Sequence, residues 1–447
     1  MTIRSGPDAR GPIAGPWVVA AWAAVAAILC LSSCSPPGPG AQGAAGAAWP
    51  RFPADPVLRG ERVLAVLYST DNIGPRTTLA QLGYPGRNIF RLHEDHPELH
   101  VVLMSCPASR YSGEGTVLDA KDGAATWRAL ALEERFAWLE LGNQGYTHSP
   151  PDDTNLNHHE FSLTQDGCNI NHALLDEAAY VSGRFDLIRT AYRSLGIPDE
   201  RMVLIRFPGL TAGPRALAAA ADAGFVASLG TTPLADAPAG GPIEIPDTRI
   251  LSLFARSAAL EEGLISGRLT RETLAESTEM RGAVSYGMAV VEDAARGSGI
   301  LNLVDVWSET FAPIGGTQPR YLILDAVLDA LETRYRGRVW FPRGRDLALW
   351  LSLVRDAKVT STRSGDGVTV AIVPSDAWVR AAGKGLTEAS ILVDLPESSR
   401  SVSAVRIRQD GDAAWRDLEP AHHWPEPRGL SVVFPIKGPL QLQIVAG

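Results

Sequence analysis

The pattern of apolar residues changes once along this chain, near residue 355, and this change limits the folds that the chain can adopt. Between residues 63 and 355, short apolar runs alternate with segments of helical periodicity, which is typical of parallel βαβ units. After residue 355, short alternating runs separated by turns indicate antiparallel strands. The sequence therefore predicts an α/β domain, either a barrel or an open sheet, followed by a small β-sandwich.

The α/β part contains apolar runs that suit strands buried on both faces, and apolar residues spaced by three or four positions that suit helices. The predicted strands are residues 63–68, 101–104, 203–205, 225–229, 250–253 and 300–306. The predicted helices are residues 124–138, 174–195, 215–223, 321–335 and 346–355. In the β-sandwich the predicted strands are residues 368–373, 391–395, 402–408, 430–434 and 440–445.

The N-terminal segment is predicted to lie outside the fold. Residues 18–31 form an apolar run with the length of a signal-peptide core, which is short for a membrane span. Small residues precede Cys34, as in a bacterial lipobox, and this similarity implies cleavage before Cys34 and acylation of its thiol. An ordinary signal peptide with a chance cysteine is the alternative. The Pro, Gly and Ala content of the next segment is typical of a flexible tether.

These boundaries divide the chain into a signal peptide (1–33), a tether (34–58), an α/β domain (59–357) and a β-sandwich (358–447). We expect an exported protein that a lipid anchors to the bacterial cell membrane or outer membrane. Cys106 and Cys168 then remain in an oxidising compartment, either as a disulfide or as two free buried thiols. The formal net charge is −9 and no basic stripe is present, so nucleic acid is not an expected partner.

Polar residues follow three of the predicted strands at their carboxyl ends, which is where α/β proteins place ligand and metal groups. Asp71 follows the first strand, the segment 140–150 contains His148, and Arg206 follows a later strand. Because the carboxyl ends of parallel strands share one edge, we expect these three positions to lie close together.

The three segments resemble, in the same order, motifs of the polysaccharide deacetylase (NodB-homology) family. Residues 69–72 read Ser-Thr-Asp-Asn where the family has Ser/Thr-Phe-Asp-Asp, and residues 142–150 read Gly-Asn-Gln-Gly-Tyr-Thr-His-Ser-Pro. Residues 206–209, Arg-Phe-Pro-Gly, are similar to the family's Arg-x-Pro segment. The resemblance covers about residues 63–355 and implies a distorted (β/α) barrel. It also implies hydrolysis of acetyl groups by a water bound to a divalent metal such as Zn²⁺.

The resemblance assigns roles residue by residue. Asp71 matches the catalytic base and Arg206 the arginine that orients it, while His148 matches a metal-binding histidine. Asn72 and Gln144 occupy the places of a metal-binding aspartate and a metal-binding histidine. Both are neutral amides, which are poor Zn²⁺ ligands.

Two other arrangements remain open at this stage. Shifting the first segment by one residue makes Asp71 the metal ligand and Thr70 the would-be base. A relocated metal site could instead use His148, His159 and Glu160, although His158 and His159 also fit a solvated loop. Either arrangement departs from the usual metal site.

Tyr146, Pro208 and Trp307 are the predicted substrate-binding residues. Trp307 is included because aromatic faces suit pyranose rings, and a tryptophan that packs in the core is the alternative. The predicted function is metal-dependent removal of acetyl groups from a cell-envelope or extracellular glycan by a membrane-anchored protein. A catalytically inactive protein that binds glycan is the second hypothesis. A third is a different hydrolase that pairs Asp71 with Asp305 or Glu309, which requires carboxylates roughly 5 to 9 Å apart.

Overall fold

The computed structural model describes most of the chain after the predicted tether. All described residues belong to one compact unit, Trp49–Gly447. The predicted signal peptide, Cys34 and the tether lie outside the described residues. The described ranges are 64–83, 88–109, 115–148, 160–161, 177–230, 232–233, 241–245, 248–250, 252–297, 299–364, 367–376, 378–379, 387–394, 402–420, 423–426 and 429–446.

Strands and helices alternate through the α/β part. The strands are β1 Leu64–Ile73, β2 Val101–Ser105, β3 Ala108–Ser109, β4 Gly115–Thr116, β5 Leu139–Asn143, β6 Leu204–Ile205, β7 Thr211–Ala212, β8 Ala227–Leu229, β9 Thr232–Pro233, β10 Ile243–Ile245, β11 Thr248–Ile250, β12 Ile300–Val306 and β13 Val339–Trp340. The helices are α1 Leu79–Leu82, α2 Ile89–Asp95, α3 Lys121–Leu132, α4 Glu177–Ser194, α5 Pro214–Asp222, α6 Ser257–Ile265, α7 Arg271–Leu274, α8 Thr278–Arg296, α9 Trp307–Thr310, α10 Pro319–Arg334 and α11 Gly344–Asp356. In the part of the chain that the structure describes, every helix is too short or too polar to cross a lipid bilayer.

The main sheet is parallel and curves into a nearly closed barrel. Its strand order is β10-β8-β6-β5-β2-β1-β12-β11, with β13 pairing with β1. The two end strands, β10 and β11, follow each other directly in the chain. Side chains from β10 and from β12 belong to one buried interior cluster, although these strands lie near opposite ends of the order. The predicted (β/α) barrel is therefore confirmed.

Alternation along β1 separates two buried layers. Ala65 and Leu67 face the barrel interior, whereas Leu64, Val66 and Tyr68 pack against the surrounding helices. Successive side chains of a strand point to opposite faces, so this alternation assigns each later residue of β1 to one layer. It determines which polar side chains reach the mouth of the barrel.

Helix α11 joins the barrel to the C-terminal domain. Leu347, Ala348 and Trp350 fill the barrel interior, while Leu349 and Leu353 pack into the core of the next domain. A helix that is apolar on two faces is expected to be buried between two partners. The α/β part and the β part therefore share this helix.

The C-terminal part is a β-sandwich, as predicted. One antiparallel sheet has the order β14-β15-β21-β17-β18 and the other β16-β20-β19. Alternate residues of both sheets, among them Val370, Leu442 and Phe434, form a common core. The strands are β14 Lys358–Ser364, β15 Gly367–Val373, β16 Thr387–Asp394, β17 Val402–Gln409, β18 Arg416–Asp417, β19 His423–Glu426, β20 Gly429–Ile436 and β21 Leu440–Ala446.

Several predicted boundaries were wrong. The helix predicted over residues 124–138 is α3, which ends at Leu132 and is followed by a short 3₁₀ turn. The strand predicted over residues 250–253 is β11, which ends at Ile250. Helices α6 and α8 were not predicted, although Ser277 caps α8 by accepting a hydrogen bond from the Met280 amide at 3.0 Å. Serine is a preferred N-cap residue, so a start signal for α8 was present.

A buried histidine links α2 to α10. His96 is 1% exposed, and its Nδ1 and Nε2 lie 2.9 Å and 3.2 Å from the carboxylates of Glu332 and Asp325. Burial lowers the pKa of His96, but the hydrogen bonds to Asp325 and Glu332 outweigh burial and raise the pKa above its ordinary value. When protonated, the ring can donate to both carboxylates at once.

We expect this link to make the stability depend on pH. A raised folded-state pKa means that the stabilisation is complete below the unfolded-state pKa of about 6.5 and is lost as pH rises through the folded-state pKa. His96→Gln should remove that loss, as measured by the free energy of unfolding in urea between pH 5 and pH 9.

His100→Gln is the matched control, because burial lowers the pKa of His100. His100→Gln should still lose stability as pH rises through the folded-state pKa of His96. An unchanged pH profile in His96→Gln would contradict the proposed role of the ion pairs.

Candidate functional site

The mouth of the barrel is built from residues that face the interior at the carboxyl ends of the strands. The alternation along β1 places Ser69 and Asp71 on the interior side, in line with Ala65 and Leu67. Arg206 follows β6 directly and lies on the same side as Leu204. The structure therefore brings Asp71 and Arg206 together, as the sequence led us to expect.

Arg206 forms a buried ion pair with Asp71. Its side chain is fully buried, and its Nη1 donates to Asp71 Oδ1. Its Nη2 donates to Ser69 Oγ at 2.5 Å, and its Nε donates to the carbonyl oxygen of Leu229 at 3.1 Å. The guanidinium therefore ties β1, β6 and β8 together across the mouth.

The side chain of Gln144 lies near Asp71. Burial raises the pKa of Asp71, although the charge of Arg206, the hydrogen bond from Arg206 and the side chain of Gln144 lower it in part. Arginine does not lose its proton in proteins, so Asp71 stays paired with a cation at neutral pH. The result is an oriented carboxylate that faces the mouth of the barrel.

The loop after β5 carries Gln144 and His148, and its backbone is held at nearly every residue. Gln144 N donates to the Ser105 carbonyl at 2.9 Å, and the buried free thiol of Cys106 donates to the Gln144 carbonyl at 3.0 Å. Asn143 both accepts from Gly145 N and donates to the Gly145 carbonyl, each at 2.9 Å. Cys168, the other half of the considered disulfide, lies outside the described residues.

Glu160 holds the far end of the same loop. Its Oε2 accepts hydrogen bonds from the backbone amides of Thr147 at 3.0 Å and His148 at 2.9 Å. Arg184 Nε lies 3.5 Å from Glu160 Oε1. Burial raises the pKa of Glu160 to about 7, against the opposing effects of Arg184 and the two amides. This carboxylate is therefore directed at the loop backbone.

The described donors do not fit a Zn²⁺ site. Among the described residues, no group of three His, Cys, Asp or Glu side chains is arranged to hold a metal ion. Gln144 carries a neutral amide, which is a poor Zn²⁺ ligand, and Glu160 Oε2 accepts hydrogen bonds from two backbone amides. His148 is the remaining imidazole of the loop, and Zn²⁺ sites normally need three or four strong ligands. His158, His159 and the side chain of Asn72 lie outside the described residues, so those predicted ligands stay predictions.

Of the predicted substrate-binding residues, the structure describes the side chains of Tyr146 and Pro208 but not that of Trp307. Tyr146 is half-buried, with the guanidinium of Arg184 5.7 Å from the centre of its ring. Pro208 is buried beside Gly145, where its Cγ would lie 2.9 Å from an added Cβ. Trp307 begins α9, but its side chain lies outside the described residues. Binding roles for all three stay predictions.

Asp305 faces away from the mouth, which disfavours its pairing with Asp71. It pairs in register with Thr70 of β1, which points toward the helices. Its Oδ2 accepts a hydrogen bond from Tyr68 at 2.7 Å and another from Thr310. Glu309, the other acid considered, accepts from Arg320 at 2.7 Å. Both acids therefore have structural partners.

Sequence reasoning did not single out Ser69 as a partner of Arg206, or Arg184 as a partner of Glu160. Glu140, in β5, accepts a hydrogen bond from the Arg345 amide at 3.1 Å, at the first turn of α11. Ser69 could have been found from strand alternation, since it precedes Asp71 by two residues. Arg184 offered no signal, because its contact depends on how α4 meets the loop.

Comparisons with known proteins give only distant structural matches. No family model matches the chain, and no curated protein matches it. One similar solved structure is a protein assigned as a polysaccharide deacetylase, from Mycobacterium smegmatis, with 14% identity and a TM-score of 0.38; it covers 70% of this chain and 99% of its own. Another with the same assignment, from Pseudomonas aeruginosa PAO1, has 11% identity and a TM-score of 0.37; it covers 66% of this chain and 93% of its own.

A third similar structure is a glycoside hydrolase family 30 xylanase from Clostridium acetobutylicum, with 8% identity and a TM-score of 0.30 over 89% of this chain and 99% of its own. At these TM-scores, none of the three carries an argument about this chain. The case for a function must come from the site itself.

We expect Asp71→Asn to destabilise the protein, because it leaves the buried guanidinium of Arg206 without a counter-charge. Breaking one side of a buried ion pair costs about 3 to 5 kcal/mol. The free energy of unfolding in urea at pH 7 measures this loss.

Asp417→Asn is the control, since Asp417 pairs with Arg406 at the surface and its side chain is 75% exposed. It should cause no measurable change. Equal stability of the two variants would show that the buried pair does not hold the barrel mouth together.

Proposed function

We propose that this chain is a polysaccharide-deacetylase-like protein whose barrel mouth binds an acetylated glycan without a Zn²⁺-dependent hydrolytic step. The observation that carries the proposal is the donor set at the mouth: among the described residues, no group of three His, Cys, Asp or Glu side chains is arranged to hold a metal ion. In the family that the sequence resembles, a histidine at the position of Gln144 binds the metal. Here a neutral amide, a poor Zn²⁺ ligand, stands in its place.

The magnitudes favour binding over hydrolysis. A catalytic Zn²⁺ lowers the pKa of its bound water from 15.7 to about 7, which corresponds to roughly 12 kcal/mol of proton affinity. General base catalysis by a carboxylate contributes about 10²- to 10⁴-fold, which is roughly 3 to 5 kcal/mol. Asp71 alone cannot replace the metal. Binding needs only a shaped, polar mouth with fixed hydrogen-bonding groups.

Hydrolysis of acetyl groups is the second candidate, and the buried Asp71–Arg206 pair favours it. An oriented carboxylate beside a fixed cation is what a general base requires, and the raised pKa of Asp71 makes it a better base. In this candidate, Asp71 takes the proton of the attacking water, and ligands outside the described residues would have to complete a metal site.

A glycan of the cell envelope or an extracellular glycan is the proposed partner. The lipobox-like residues before Cys34 support lipid anchoring of an exported chain, which would present the barrel to such a glycan. Mass spectrometry of the N-terminal peptide tests this step. An acylated Cys34 as the first residue is the expected result, and a chain cleaved elsewhere without acylation would contradict it.

Metal titration separates the two candidates. The wild-type chain should retain no stoichiometric Zn²⁺, because the described residues of the site offer one imidazole, a neutral amide from Gln144 and a carboxylate that is already paired with Arg206. The double variant Asn72→Asp, Gln144→His restores the carboxylate and the imidazole, and should bind about one Zn²⁺ per chain. Adding His148→Ala should abolish that binding. Stoichiometric Zn²⁺ in the wild type that is lost in His148→Ala would overturn the proposal.

Calorimetry with matched acetylated and deacetylated oligosaccharides tests the binding itself. The wild type should bind the acetylated form more tightly, and Tyr146→Ala should weaken that binding. Mass spectrometry of the recovered oligosaccharide should show no loss of acetyl groups. Acetate release that a chelator stops would instead support the hydrolytic candidate.

A further inference from the structure

We propose that Glu160 is a positioning residue whose carboxylate serves as an internal anion for the backbone of the loop 144–148, and so sets where Gln144 and His148 stand at the barrel mouth. This inference rests on the proposed function, because it concerns the same site. It adds a residue that the sequence motifs do not contain.

Glu160 meets the loop in the way that a bound anion meets a concave backbone site. Its carboxylate is fully buried, and one oxygen accepts two successive amides, those of Thr147 and His148. Successive backbone N–H groups that converge on one point form an anion-binding concavity. In this chain the anion is part of the protein at pH values above the Glu160 pKa of about 7.

The loop backbone needs such a partner because it is strained where Glu160 holds it. His148 has a φ of 65°, in the left-handed region that a non-glycine residue rarely adopts. Gly145 has a φ of 82° in the same loop. A conformation of this kind persists only where the surrounding contacts specify it.

The approach of Glu160 also explains the glycine. A Cβ at Gly145 would lie 2.3 Å from Glu160 Oε2 and 2.9 Å from Pro208 Cγ. Only a residue without a side chain leaves room for the carboxylate beneath the loop. Gly145 therefore allows the positive φ of the loop and also leaves room for the Glu160 carboxylate.

Arg184 balances the charge of Glu160 inside the protein. Its side chain is 10% exposed, and its Nε lies 3.5 Å from Glu160 Oε1. Its guanidinium lies over the rings of Tyr146 and Tyr180, 5.7 Å and 5.0 Å from their centres. The cation is thus supplied by α4, so Glu160 connects the loop to the helix that follows it in the chain.

Replacing Glu160 by alanine should leave the backbone concavity open to a small carboxylate from solution. We expect Glu160→Ala in the full chain to lose at least tenfold in affinity for the acetylated oligosaccharide, as measured by calorimetry. Sodium formate should restore most of the loss, whereas sodium chloride at equal ionic strength should not. Formate should not change the affinity of the wild type or of Asp71→Asn for the oligosaccharide.

Glu140→Ala is the matched control. Glu140 is also a glutamate that accepts a backbone amide, but it lies at the other end of β5, near the first turn of α11. This variant should keep wild-type affinity for the oligosaccharide and show no effect of formate. A loss of affinity in Glu160→Ala that formate does not restore, in a chain with an unchanged melting temperature, would overturn the proposal.

Hydrogen exchange keeps the test decisive if Glu160→Ala does not fold or if the wild type binds no glycan. In Glu160→Gln the amides of Thr147 and His148 should exchange at least tenfold faster than in the wild type, while the Gln144 amide, which donates to Ser105, should change less. Equal exchange would overturn the positioning role. Failure of glycan binding with faster exchange would overturn the proposed function alone.

Discussion

Arg206 lies where three strands of the barrel converge, fully buried, with each edge of its guanidinium in use. It meets Asp71 and Ser69 on β1 and the carbonyl of Leu229 on β8. A buried cation that lost these partners would face a large desolvation penalty, so the contacts and the curvature of the sheet depend on each other. The same ion pair orients the one carboxylate that reaches the mouth from β1.

Strand alternation then decides which acids can take part in function. Asp71 faces the interior, whereas Asp305, on the neighbouring strand β12, faces the helices and accepts from Tyr68 and Thr310. Two acids that look equivalent in the sequence therefore play different parts. One is an oriented group at the mouth, and the other fastens α9 to the sheet.

The loop after β5 shows which features of the site the sequence motifs predicted and which they did not. Asn143, Gly145 and His148 were visible as a loop motif, and the structure shows that Asn143 and Gly145 shape its backbone. The effect of Gln144 on the Asp71 pKa was not predicted, because it depends on residues 73 positions apart that the closure of the barrel brings near each other. The sequence also left the role of Glu160 open, because a glutamate can serve either as a metal ligand or as an acceptor for the backbone amides of a loop.

The sequence by itself determined the order of the elements, the change from α/β to antiparallel structure, and the three strand ends that carry polar residues. Periodicity and turn residues are local signals, so they can be interpreted without knowing which segments meet. Only the tertiary structure decided that Arg206 spans three strands, that Asp305 points outward and that Glu160 lies beneath the loop. Those outcomes depend on the register between strands and on the angle at which α4 meets the loop, and both are set by packing between segments far apart in the chain.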